Sequence, residues 1–162
     1  MLKKYKVLVI CTGNSARSIM VEALFNTVGE SYFEAVSAGS HPTGKVNPFA
    51  LEEINNLNIN FEPTSKNWNV FVGEQFDFVI TVCGNAAQEI CPCFAGEPLH
   101  IHWGDPDPAA VEGDGEDKRK AFSDCFDIFS ARIARLIGGM KSQQSDLDTD
   151  NVMKAMLALA NT

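Results

Sequence analysis

The feature of this chain that most restricts its fold is an unbroken apolar run, Val7-Leu8-Val9-Ile10, followed at once by a polar loop and then by a helical pattern. A short run rich in β-branched residues, without polar alternation, is the mark of a strand covered on both faces, as in parallel sheets. Ile19, Ala23, Leu24 and Val28 then set an apolar stripe on a helix over residues 15–28. In open α/β sheets, ligands bind at the carboxyl ends of the strands. The intervening loop, residues 11–18, is therefore a candidate site by position alone.

The same signals continue along the chain. Residues 33–38 read as a second strand closed by Gly39, residues 47–57 as a helix entered through Pro48, residues 76–82 as a third strand and 98–103 as a fourth. Residues 117–137 place Ala121, Cys125, Ile128, Phe129, Arg132, Ile133 and Leu136 on one broad face, the pattern of an amphipathic closing helix that Gly138-Gly139 is expected to stop. The order implies an α/β fold built on a small doubly wound parallel sheet. Residues 1–139 form the expected domain, and residues 140–162 a polar linker with a short apolar helix that docks on the domain or on a second molecule.

With 162 residues, 45% of them hydrophobic, the chain suffices for one domain with a real core. The apolar run after the basic start is too short for a signal peptide, and no stretch reaches the length of a membrane span. The expected compartment is the cytoplasm, where thiols stay reduced, so five cysteines point to chemistry or metal binding before a disulfide framework. A net charge of -8 argues against nucleic acid and against an anionic membrane surface as partners. An anionic substrate must then be held by concentrated donors against a repulsive global field.

The loop reads Cys11-Thr12-Gly13-Asn14-Ser15-Ala16-Arg17-Ser18. Its amides, with those that open the following helix, form an anion cradle at the positive end of a helix dipole. Gly13 and Asn14 tolerate the left-handed backbone angles such a cradle needs. Arg17 offers a planar fork for two oxygens of a tetrahedral anion. A sulfur inside this ring should ionise below the usual thiol value of roughly 8.5, which makes Cys11 the expected nucleophile. Asn14 and Ser37 are expected to brace the loop.

A second cluster, Cys83 to Cys93, begins where the third strand ends, so Cys83 lies at the same sheet edge and can face Cys11. Together with His100 and His102 it offers thiolate and imidazole ligands. It lacks a Cys-x2-Cys pair, however, and no metal site is expected. Trp103-Gly104-Asp105-Pro106-Asp107-Pro108 follows the fourth strand at that edge and supplies two candidate general acids, Asp105 and Asp107. Cys125, on the apolar face of the closing helix, reads as core.

The loop from Cys11 to Ser18 resembles the signature of the low-molecular-weight protein tyrosine phosphatases and of the arsenate reductases that share their fold. That resemblance implies a four-stranded parallel sheet flanked by helices, with Cys11 as nucleophile and residues 12–18 binding the oxyanion. Val82-Cys83 and Cys91-Pro92 resemble the corresponding pairs of the thioredoxin-coupled arsenate reductases, and the likeness runs over roughly residues 5–137. It implies that Cys11 attacks arsenate, Cys83 displaces arsenite from Cys11, and Cys91 closes a disulfide with Cys83 for an external thiol reductant, thioredoxin or a glutaredoxin type, with no bound cofactor. Cys93 competes with Cys91 as resolving thiol. Many relatives carry a cysteine where this chain has Ala16. The register of Trp-Gly and Asp-Pro selects Asp107 as the acid, with Asp105 second. In some relatives a residue placed like Glu22 approaches a monovalent cation.

A phosphatase needs one cysteine, whereas reducing an arsenic oxyanion needs the two electrons that two thiols supply. The leading expectation is an arsenate reductase acting as a monomer. The alternatives are a low-molecular-weight protein tyrosine phosphatase, though Ala109 and not an aromatic follows the Asp-Pro pair, and an oxyanion sensor without turnover. Cys83 and Cys91 are eight positions apart, and a helix would hold them beyond the Cα separation of about 7 Å that a disulfide tolerates. The segment between them is expected to unwind on oxidation.

Overall fold

A computed structural model describes residues 3–89, 92, 94–142 and 149–159. Its elements are β1 (Tyr5–Ile10), α1 (Arg17–Thr27), β2 (Phe33–Ala38), α2 (Pro48–Ile54), β3 (Phe78–Thr81), α3 (Gly84–Gln88), β4 (Leu99–His102), α4 (Gly115–Ser142) and α5 (Thr149–Ala158). Two short 3-10 turns, Trp68–Phe71 and Pro108–Ala110, lie between them. The four strands form one sheet in the order β2-β1-β3-β4, with every neighbouring pair parallel. This is the expected fold class.

The sequence pattern explains the layering. Val7, Leu8, Val9 and Ile10 are wholly buried, because β1 has a strand on each side and helices over the sheet. Helix α1 packs against β2, α2 and α4. Its residues from Ser18 to Phe25 are all buried, so it carries a wider buried surface than a single stripe. Val28, read as part of that stripe, is exposed at its end. Asn47 caps α2 by accepting from the Phe49 amide, with Pro48 opening the helix.

The strand order reverses at β1, since β2 lies on one side of it and β3 on the other. Such a switch point leaves a crevice beyond the carboxyl ends of the two central strands. Ile10 pairs with Thr81 at that edge, so the chain leaves β1 into Cys11 directly beside where it leaves β3 toward Cys83.

Two readings of the last third need correction. Gly138-Gly139 does not stop α4, which continues to Ser142. Leu136, Ile137 and Met140 on that turn are buried, and their packing outweighs the roughly 1 kcal/mol that each helical glycine costs. On the same helix Phe122 is in the core and Ile128 is exposed, a small rotation of the predicted face. The C-terminal helix docks on the domain: α5 contacts β4 and α4 and buries Val152 and Met156. Trp103, fully buried and stacked on Phe25 at 5.8 Å, donates its Nε1 to the Met156 carbonyl at 3.2 Å. No helix among the described residues is long and apolar enough to cross a membrane.

Candidate active site

The loop that follows β1 is held from behind. The Cys11 amide donates to the Ala38 carbonyl, and the carbonyls of Thr12, Gly13 and Ser15 accept from the amides of His41, Thr43 and Asn47. Those bonds fix the loop's carbonyls to the segment behind it. Gly39 is needed for this fit, because a Cβ there would collide with the carbonyl oxygens of Cys11 and Thr12.

Asn14 takes the left-handed conformation, with φ of 43°, and locks it with its side chain. Its Nδ2 donates to Ser18 Oγ at 2.8 Å and to Ser37 Oγ at 3.0 Å, while its Oδ1 accepts from the Lys66 amide at 2.9 Å. Ser37 in turn donates to Glu22 Oε2 at 2.6 Å. Asn14, Ser18 and Ser37 are wholly buried, so these side chains brace the loop from behind and leave the cavity to others. Burial pushes the Glu22 carboxyl above its ordinary range, and the positive charge of Lys66 pulls it back.

In front of the loop lies a cavity of about 440 Å³. Thr12, Gly13, Ser15, Ala16 and Arg17 line it together with Cys11, Cys83 and Asp107, and Thr43, Asn85 and Ala109 complete a wall without an aromatic residue among those described. The Arg17 Nη1 donates to the Asp105 carbonyl at 2.9 Å, and its Nη2 lies 3.6 Å from Asp107 Oδ2. Its Nε is buried with no partner among the described residues. An unsatisfied buried donor costs roughly 1–3 kcal/mol.

The two candidate acids are separated by their surroundings. The Asp105 side chain lies beside the Cys125 thiol on α4, where burial, first, and then Asp105 push the Cys125 pKa up. Asp107 lines the cavity and caps the short turn after it by accepting from the Ala109 amide at 3.0 Å.

Cys11 and Cys83 are both buried at the wall of this cavity, close enough that each thiol shifts the ionisation of the other. The Cys83 sulfur caps α3, accepting from the amides of Ala86 and Thr12, each at 3.4 Å, with the Thr12 hydroxyl at 3.7 Å. The neighbouring Cys11 thiol, foremost, and the amides of Thr12 and Ala86 lower the Cys83 thiol to about 5, against the opposing effect of burial. Cys11 moves the other way. The neighbouring Cys83 thiol, first, and burial raise it well above the usual thiol range, and Arg17 opposes this without overcoming it. The directions of the two shifts favour the charge on Cys83, against the expectation that Cys11 ionises readily by itself. Sequence reasoning counted the amides around Cys11 and had no means to see that Cys83 claims one of them.

Cys91 and Cys93 lie outside the described residues. His100 and His102 are exposed on β4, as their spacing indicates, and the His102 Nδ1 meets Thr81 Oγ1 at 2.8 Å. Among the described residues no group of three or more histidines, cysteines and carboxylates is placed to hold a metal ion. One residue at this site had no sequence signal: Glu89, whose Oε1 accepts from Thr12 Oγ1 at 2.7 Å.

Comparison with known proteins agrees with this geometry. The family model of low molecular weight phosphotyrosine protein phosphatase matches residues 6–146. An arsenate reductase of Shouchella clausii is 34% identical over 135 residues, covering 83% of this chain and 96% of the relative. Among solved structures, a thioredoxin-dependent arsenate reductase of Corynebacterium glutamicum superposes with a TM-score of 0.61 at 25% identity, over 86% of this chain and 63% of that one. A low molecular weight protein tyrosine phosphatase of Bacillus subtilis shares the fold, with a TM-score of 0.60 at 22% identity over 88% and 99% of the two chains.

Proposed function

Because this chain belongs to the low molecular weight phosphotyrosine protein phosphatase family, we propose that its cavity takes arsenate and that the protein is an arsenate reductase. The observation that carries this reading is the second thiol. Hydrolysing a phosphate ester uses one sulfur, whereas here Cys83 stands with Cys11 at the wall of the same cavity. The absence of an aromatic wall among the described lining residues also suits a small inorganic oxyanion better than a phosphotyrosine ring.

In the proposed reaction, arsenate lies against the loop amides and Arg17, with an oxygen on the Arg17 Nε. Cys11 attacks arsenic as its proton passes to Cys83, and Asp107 protonates the oxygen that departs as water. Cys83 returns that proton to solvent, its thiolate held by the amides of Thr12 and Ala86. It then attacks the Cys11 sulfur. A sulfur–sulfur bond forms, the sulfur–arsenic bond breaks, and its electron pair stays on arsenic, which leaves as arsenite. Cys91 next exchanges onto Cys83 and frees Cys11. The segment from Cys83 to Cys91 unwinds and presents the disulfide to a dithiol reductant of thioredoxin or glutaredoxin type. The same reading has the protein act in the cytoplasm as a monomer, without a bound cofactor.

The test follows arsenite formed with a thioredoxin system by the parent chain and by Cys83→Ser. The substitution should abolish multiple turnover while sparing cleavage of an aryl phosphate, since it also removes the neighbouring thiol that raises Cys11. Equal arsenate turnover in the two proteins would remove Cys83 from the mechanism. A parent that makes no arsenite with any thiol donor, yet dephosphorylates tyrosine peptides efficiently, would establish the phosphatase reading.

A further inference from the structure

Thr12 has one hydroxyl proton and two acceptors beside it. Glu89 Oε1 is 2.7 Å from its Oγ1, and Cys83 Sγ is 3.7 Å away. The carboxylate is nearer and charged, so it takes the proton. The Cys83 sulfur is left with the amides of Thr12 and Ala86 and with the Cys11 thiol. The other charged groups on the cavity are Arg17 and Asp107. Glu89 is half-buried and closes α3, the helix that Cys83 opens, so one short element carries both the thiol and the carboxylate that competes for its donor.

We infer that Glu89 is a positioning residue that withholds the Thr12 hydroxyl from Cys83 and so keeps this sulfur a stronger nucleophile toward Cys11. The inference rests on the arsenate reductase reading and deepens it. Every hydrogen bond donated to a thiolate stabilises it, and thiolate nucleophilicity falls with basicity by a Brønsted coefficient of about 0.4–0.5. In the second displacement Cys83 bonds to the Cys11 sulfur while the electron pair of the sulfur–arsenic bond goes to arsenic. A sulfur relieved of the hydroxyl donor performs that step faster. Glu89 touches no reacting atom; it acts through Thr12.

The experiment measures the pH dependence of Cys83 alkylation by iodoacetamide, with the modified peptide mapped by mass spectrometry. It compares the parent, Glu89→Ala, Glu89→Gln, Thr12→Val and the double variant Glu89→Ala/Thr12→Val. Glu89→Ala is expected to lower the midpoint by about one pH unit, because the freed hydroxyl becomes an added donor to the thiolate. Glu89→Gln, which keeps an acceptor without the charge, should lower it less, and the Thr12→Val background should remove most of the effect. In single turnover at neutral pH, arsenite release by Glu89→Ala should slow by about threefold, as the Brønsted coefficient requires. A midpoint unmoved by Glu89→Ala, or moved equally in the Thr12→Val background, overturns the inference. A parent that releases no arsenite sinks the arsenate reductase reading instead, and the alkylation midpoints then still decide whether Glu89 controls Cys83 through Thr12.

Discussion

Cys83 accepts from the amides of Thr12 and Ala86, and these donors, with the neighbouring Cys11 thiol foremost, favour the thiolate on Cys83 over Cys11. With the Cys83 thiol near 5, its proton is lost as pH rises through that value, so the thiolate is present at neutral pH and disappears on acidification. Ultraviolet thiolate absorbance should show one sulfur titrating near pH 5 in the parent, and Cys83→Ser should abolish that step and transfer ionisation to Cys11 at higher pH. A parent trace with no thiolate below pH 7 would contradict the assignment. The position of Cys11 was legible from the sequence because an unbroken buried strand ends at it. The seat of the charge was not, since it depends on an amide from the first loop reaching a sulfur on a distant segment. Asp105 and Asp107 each precede a proline and only the register of the resemblance ranked Asp107 first; in the structure Asp107 lines the cavity, whereas the Asp105 side chain lies beside Cys125 of α4.

Among the elements, the strands were the most legible. β2 begins and ends where its alternating pattern does, at Phe33 and Ala38. α4 shows where local reasoning fails, because a glycine pair is a stop only when no buried surface lies beyond it. Gly138 and Gly139 are exposed, and a Cβ on either would meet nothing within 4 Å. Gly138→Ala and Gly139→Ala should therefore each stabilise the protein by about 0.5–1 kcal/mol through helix propensity alone. Urea denaturation reads this as a higher midpoint at unchanged slope, and a lowered midpoint would mean that the helix does not run through these residues.

At the scale of the molecule, α5 is part of the fold. Val152, Met156 and Leu159 are buried, and the Met156 carbonyl takes the indole proton of Trp103. Trp103 precedes the Asp105–Asp107 loop, and Arg132 of α4 holds the next carbonyl, that of Gly104, at 3.2 Å. Truncation before Thr149 should cost roughly 3–6 kcal/mol, given about 1.5–3 kcal/mol for each large apolar side chain exposed and an offset for chain entropy. Thermal unfolding should report the loss, accompanied by red-shifted indole emission as Trp103 meets water. Unchanged stability would show that α5 contributes little. The pairing of β1 with β3 has a consequence of another kind. The polypeptide brings its two reactive sulfurs together only by joining strands that are remote in sequence, so an incompletely assembled sheet carries ordinary, mutually indifferent thiols. Chemical competence thus arrives with the finished architecture, and a misfolded copy is spared the reactivity that makes the native one useful.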